Sequence, residues 1–123
     1  ALHLPPQEEG QPVDLSAYLA RAHAFIAAGV DRFIIDTCTI LDGVKRYGGT
    51  GKPVDWTIAR QAREAIAIPV FLAGGIEPGN VAEAIRHVQP QGIVLCSKVE
   101  RDKGKKDPEL VRALIQNARQ ALA

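Results

Sequence analysis

Residues Leu72-Ala73-Gly74-Gly75-Ile76-Glu77-Pro78-Gly79-Asn80-Val81 carry the clearest chemical pattern in the chain. Val70-Phe71-Leu72 is a short apolar run after a proline, the pattern of a buried parallel strand. Gly74 and Gly75 follow, and a helical pattern begins near Asn80. A strand feeding a Gly-Gly turn into a helix start suits an anion such as phosphate. Residues without Cβ let the main chain approach the anion, and the unpaired N–H groups of the first helical turn point at it. The same residues also fit a plain βα turn in which glycine relieves crowding. Other groups of interest stand at similar places. Arg32-Phe33-Ile34-Ile35-Asp36 is an apolar run ending in a carboxylate, and Gly92 to Leu95 runs into Cys96-Ser97. The stretch from Thr37 to Pro53 holds Gly43, Gly48, Gly49 and Gly51. On pattern alone Asp36 reads equally as a functional carboxylate and as an N-cap or salt-bridge partner.

The elements that must position these groups follow from periodicity. Ala1 to Leu4 reads as the tail of a strand stopped by Pro5-Pro6, and Gln7 to Pro12 as a polar loop. Asp14 is the expected N-cap of a helix whose inward residues are Leu15, Leu19, Ala22, Phe25 and Ile26, ended by Gly29. After the strand at Arg32–Asp36, the 17 residues from Thr37 to Pro53 exceed the usual βα loop and belong with lids and binding loops. A helix is predicted from about Val54 to Ile66, with Ile58, Ala62, Ala65 and Ile66 on one side. Ile68 to Leu72 is the third strand. Asn80 to Val88 is the third helix, with Val81, Ala84, Ile85 and Val88 inward. Gly92 to Leu95 is the fourth strand. Asp107 caps a last helix with Pro108 in its first turn and Leu110, Val111, Leu114 and Ile115 on its apolar side.

That order is βαβαβαβα, which implies parallel strands joined by right-handed crossovers, an α/β fold in one domain over residues 1–123. Asp36, the Gly-Gly pair, the glycine-rich stretch and Cys96-Ser97 all fall at strand C-terminal ends, the edge where chemistry collects in parallel α/β proteins. Four βα units are half of a closed (β/α)8 barrel, which needs roughly 200 residues or more.

Composition narrows the function classes. The chain has 123 residues, a net charge of +1, 24% charged and 46% hydrophobic residues, so neither a nucleic-acid footprint nor a disordered tail is expected. The basic cluster from Arg101 to Lys106 reads as a solvated loop. There is no membrane-length apolar run and no signal peptide. Cys38 and Cys96 make neither a disulfide framework nor a metal set, and a reducing cytoplasm fits them. Methionine is absent, so Ala1 follows a removed initiator or begins a piece of a longer protein.

Three blocks together closely resemble phosphoribosylanthranilate isomerase of tryptophan biosynthesis: Phe33-Ile34-Ile35-Asp36-Thr37, then Tyr47-Gly48-Gly49-Thr50-Gly51-Lys52-Pro53-Val54-Asp55-Trp56, then Leu72 to Val81. Val99-Glu100, Gly104-Lys105-Lys106-Asp107 and the final helix look like that family's ending. The resemblance maps nearly the whole chain onto barrel units five to eight of a TIM (β/α)8 barrel.

The resemblance implies an Amadori rearrangement of a phosphorylated sugar, phosphoribosylanthranilate, without cofactor or metal. A general acid opens the ribose ring and a general base takes a proton from C2. The family's strand-end acid matches Asp36. A carboxyl at a barrel mouth, shielded by a lid, can hold its proton until substrate arrives. The phosphate-binding residues match Gly74 and Gly75, with Ser97 in the next loop, and the lid matches Cys38 to Lys52.

Three departures stand beside this match. The family's base is a cysteine ending the first barrel strand, and no such strand is present. The family's eighth-strand motif, Asp-Val-Ser-Ser-Gly-Val-Glu, reads here Val94-Leu95-Cys96-Ser97-Lys98-Val99-Glu100. Val94 thus replaces the aspartate that meets the anthranilate amine, and Lys98 replaces a glycine beside the phosphate. Lys98 either adds a positive charge there or spoils the close approach with its Cβ. Within the chain, Cys38, Cys96 and His3 are the candidates for a base, each set against a structural or surface role.

Two functions are therefore carried forward: an isomerase half-barrel needing its other half, and a non-catalytic phosphate-binding or assembly module. Either predicts association with a second copy or a complementary half. The strands are apolar nearly throughout, while four outer helices cover one sheet face only. Such an interface would exceed the ~1,600 Å² of a standard complex.

Overall fold

The computed structural model describes residues 2–4, 14–36, 38–41, 44–47, 53–95 and 97–122. The chain begins with β1 (Leu2–His3), α1 (Ser16–Ala27) and β2 (Phe33–Asp36). Next come β3 (Cys38–Leu41), β4 (Val44–Tyr47), α2 (Pro53–Ala65), β5 (Val70–Ala73) and α3 (Val81–Val88). It closes with β6 (Gly92–Ile93), a 3-10 turn at Ser97–Val99, β7 (Glu100–Asp102), β8 (Lys105–Lys106) and α4 (Pro108–Leu122).

β1, β2, β5 and β6 form one parallel sheet in that order, so spatial order follows chain order, and each strand is followed by a helix. Leu2 pairs with Ile35, Phe33 with Val70, Ile35 with Leu72, and Leu72 with Ile93. Because side chains alternate along a strand, these residues share one face. They lie within or against a core that includes Tyr18 and Ala22 of α1, Trp56, Ala59 and Ala62 of α2, Val81, Ala84 and Val88 of α3, and Leu114 of α4. All four helices therefore pack on one side. The opposite face holds Ile34 and Phe71, which pair in register, with the Phe71 ring lying so close over Gly92 that a Cβ there would meet it at 3.3 Å.

The expected elements are present, with corrections at their margins. Tyr18 rather than Phe25 turns inward on α1: Tyr18 is 4% exposed and its hydroxyl donates to the Leu2 carbonyl at 3.4 Å, whereas Phe25 is 45% exposed. A buried tyrosine needs such a partner, and β1 supplies it. Leu15 takes the N-cap position, yet Asp14 still caps the turn, since its Oδ1 accepts the Ser16 amide at 2.9 Å. The Ser16 side-chain and backbone hydrogen bonds hold the Asp14 carboxyl below its usual value. Ala65 of α2 is exposed, its place taken by Trp56 and Ala59, and Ile115 of α4 is 43% exposed.

Two stretches predicted as loops contain β-structure. β3 and β4 pair antiparallel, Cys38 opposite Tyr47 and Leu41 opposite Val44. Arg101 to Lys106 belongs largely to the β7–β8 hairpin, in which the Glu100 carboxylate accepts the Gly104 amide at 2.8 Å and meets Lys106 at 3.2 Å. The fourth strand is only two residues long, shorter than the predicted Gly92–Leu95. The Gln7–Pro12 loop, the glycines from Gly43 to Gly51, Cys96 and the side chains of His3 and Cys38 lie outside the described residues.

Candidate functional site

Asp36 is the last residue of β2 and pairs in register with Ala73, the residue before Gly74. On its other side it pairs with His3 of β1, and its carbonyl accepts the Leu4 amide at 2.9 Å. Strand alternation places Asp36 on the same face as Ile34, the face turned from the helices. The residue is half-buried and its Oδ1 is sealed from solvent. The carboxylate and the glycine turn thus occupy adjoining C-terminal strand ends.

Gly74 and Gly75 both have positive φ, 99° and 67°. At 99° a side chain is strongly disfavoured, so Gly74 is required by the turn itself. The loop beyond is fixed by Asn80. Its Nδ2 donates to the Gly75 carbonyl at 2.9 Å, and its Oδ1 accepts the Glu77 amide at 2.9 Å. Asn80 is also the N-cap residue of α3, and its carbonyl accepts the Ala84 amide at 3.0 Å. Asn117 of α4 adds an outer clamp, donating to the Pro78 carbonyl at 2.7 Å. In the sequence Asn80 is visible as a helix start, but neither its hold on the turn nor the part played by Asn117 is. The N-cap signal points to Asn80; nothing local points to Asn117.

The neighbouring loop leaves β6, where the Val94 amide donates to the Leu72 carbonyl at 2.9 Å. Val94 is 36% exposed. Ser97, also exposed, begins the 3-10 turn, and the turn's last residue, Val99, is buried and accepts the Asp107 amide at 2.8 Å. Lys98 reaches across to the glycine loop, its Nζ 3.8 Å from Glu77 Oε2. The structure therefore sets Asp36 beside the glycine turn on adjacent strands and links the Ser97 loop to that turn through a side-chain pair. The β3–β4 hairpin follows Asp36 after one residue, where the lid was expected.

Among the described residues, no group of three His, Cys, Asp or Glu side chains is arranged to hold a metal ion. No helix there is long and apolar enough to cross a membrane.

Residues 12–117 match the family model described as N-(5'-phosphoribosyl)anthranilate (PRA) isomerase. The isomerase of Haloferax volcanii is 41% identical over 110 residues, 89% of this chain and 48% of that protein. The chain spans half or less of the length of the curated relatives it matches. In three dimensions, 83% of the chain superposes on 45% of the phosphoribosylanthranilate isomerase of Thermotoga maritima, with a TM-score of 0.65 and 29% identity. A second isomerase, solved in complex with reduced 1-(o-carboxyphenylamino)-1-deoxyribulose 5-phosphate, matches 97% of the chain with 46% of its own, at a TM-score of 0.64 and 23% identity. The α/β arrangement of parallel strands and four helices thus aligns with roughly half of such a TIM barrel.

Proposed function

The chain belongs to the N-(5'-phosphoribosyl)anthranilate isomerase family, and from that premise we propose that residues 1–123 form the C-terminal half of an isomerising barrel, bearing its acid and its phosphate site. The observation that carries this reading is the register of Asp36 against Ala73, which sets a carboxylate next to the Gly74-Gly75 turn at one sheet edge. In the proposed reaction Asp36 gives a proton to the ribose ring oxygen. The C1–O bond breaks as the amine nitrogen lone pair forms a C=N bond to C1. A base then removes the C2 proton; the C2–H electron pair forms the C1=C2 bond as the C=N π pair returns to nitrogen, giving an enolamine whose tautomer is the 2-ketose. The phosphate is held by main-chain groups at Gly74 and Gly75 and by the Ser97 loop, which fixes the sugar under Asp36.

The base is assigned to the other half of the barrel. That half also covers what this chain leaves bare. The exposed large apolar side chains among the described residues are Phe25 on α1, Ile115 and Leu122 on α4, and Val94 beyond β6. α1 and α4 follow the two edge strands, and Val94 stands at the open face. Closure by that half, or by a second copy, covers the open face and pairs both edges.

Val94 favours a second reading, a non-catalytic phosphate-binding or assembly module, because valine cannot meet the substrate amine as the family's aspartate does. One experiment separates the two. Turnover of phosphoribosylanthranilate is measured with this chain alone and after mixing with a separately expressed first-half fragment of a family member. The isomerase reading expects turnover in the mixture. A tight complex that never turns over supports the module.

A further inference from the structure

Lys98 stands at the position where the family motif carries glycine, and the backbone there does not need one. Outside glycine, Gln89 alone has positive φ among the described residues, so the Lys98 Cβ sits on an ordinary main chain and introduces no strain. Its side chain crosses from the loop after β6 to the loop after β5, where Nζ lies 3.8 Å from Glu77 Oε2. The two side chains are 48% and 46% exposed. An ion pair so open to water and so long contributes little to stability, and the loops it joins are already held without it. Asn80 and Asn117 clamp the Glu77 loop, while the Val94–Leu72 and Asp107–Val99 hydrogen bonds hold the other. Glu77 therefore rides on a fixed loop, whereas Lys98 carries its charge on a flexible four-carbon stem.

This rests on the anion site proposed at Gly74, Gly75 and Ser97. From it we infer that Lys98 is a side-chain phosphate ligand, parked on Glu77 while the site is empty and turned to the phosphate when it is filled. The ligand class is a phosphomonoester dianion. It outcompetes a single carboxylate for the ammonium because it brings a second charge and three acceptor oxygens. Lys98 adds a mobile cation to a site otherwise built from main-chain groups, and Glu77 tunes it. The carboxylate acts by competing for the lysine.

Ribose 5-phosphate is the probe, titrated into the full chain and followed by calorimetry and by phosphorus NMR at low and at moderate salt. Lys98→Met should weaken binding about tenfold or more and flatten its salt dependence, while Lys98→Arg retains most of both. Glu77→Gln should tighten binding a few-fold, and the double variant should bind as Lys98→Met does. Gly74→Val blocks the turn and should abolish binding. Circular dichroism confirms that each variant is folded; Lys98→Gly replaces Lys98→Met if the latter is not. If Lys98→Met binds like the parent while Gly74→Val does not bind, the anion site stands and the role of Lys98 falls. If Glu77→Gln weakens binding, Glu77 positions the lysine rather than competing for it, and the parked-ligand inference is overturned. If the parent fails to bind, or Gly74→Val binds as well as the parent, the anion-site reading itself is wrong and the role of Lys98 falls with it.

Discussion

The two faces of the parallel sheet differ in what they touch. On one, Phe33, Ile35, Val70 and Leu72 are buried in a single cluster with all four helices. On the other, Ile34, Phe71 and Val94 lie outside that cluster, and Val94 is 36% exposed. The strands themselves are apolar on both sides, so the difference is made by the helices and not by strand composition. Asp36 continues the open face one step past Ile34. Among the described residues, burial is thus concentrated on one face and the proposed acid lies on the other, the face that the proposed second half would cover. A substitution on one face should therefore move stability, and on the other activity or association.

The largest effect is expected on the covered face. Leu72 is fully buried, so Leu72→Ala should cost about 2–5 kcal/mol in urea unfolding, through lost transfer energy and the cavity left behind. Phe71 is half-buried over Gly92, so Phe71→Ala should cost about 1 kcal/mol in the isolated chain. In a complex with a complementary half its cost should rise towards that of Leu72. Equal costs in the isolated chain would mean that both faces are already core.

Asp36 tests the open face for chemistry. Asp36→Asn keeps the shape and the hydrogen-bonding capacity but has no carboxyl proton to give. In the reconstituted barrel its turnover should fall by about 10²-fold or more, equivalent to ~2.7 kcal/mol of transition-state stabilisation. The melting temperature of the isolated chain should change far less than for Leu72→Ala. Turnover within a few-fold of the parent would remove Asp36 from the mechanism.

Much of this division was legible in the order of residues, because helices and strands repeat with different periods. Val81, Ala84 and Val88 recur at helical spacing and are buried as expected. Errors fell at the margins of the apolar stripes, where one residue of rotation decides burial. Phe25, Ala65 and Ile115 sit at such margins and face out. Tyr18 was missed because its burial depends on a carbonyl of β1, 16 residues away. The β3–β4 hairpin was missed because its four-residue strands are shorter than the glycine-marked stretch around them. For the candidate site, the placement of Asp36 beside Gly74 was legible because parallel βα units bring every strand's C-terminal end to one edge. The Lys98–Glu77 and Asn117–Pro78 contacts join separate loops and helices, and no local pattern encodes them.

Tyr18 offers a pH test confined to the covered face. Burial pushes its hydroxyl up to about 12, only partly offset by Arg21. A raised folded value means that the folded state favours the neutral phenol. The stability from this preference is complete below the unfolded value near 10 and is lost as pH rises from about 10 through 12. The loss is at most about 2–3 kcal/mol. Tyr18→Phe should show a flatter stability profile across that window, while the parent declines. Parallel declines would indicate that other groups govern alkaline unfolding.

The smallest stability effect is expected at Val94, and that is what makes the site informative. Its side chain is exposed at the open face, and its structural contribution is a main-chain one, the amide donating to the Leu72 carbonyl. An aspartate keeps that amide, so Val94→Asp should leave stability within about 0.5 kcal/mol. It restores the residue found in the motif this stretch resembles, directly on the face that carries Asp36. If the half-barrel is an isomerase with a weakened substrate contact, the reconstituted Val94→Asp protein should turn over faster than the parent. If it is a binding module, the same change should leave turnover absent and ribose 5-phosphate affinity unchanged, since Val94 lies before the Ser97 turn that is assigned to the phosphate. A large loss of stability on Val94→Asp would contradict both, because it would mean that the face described as open is packed.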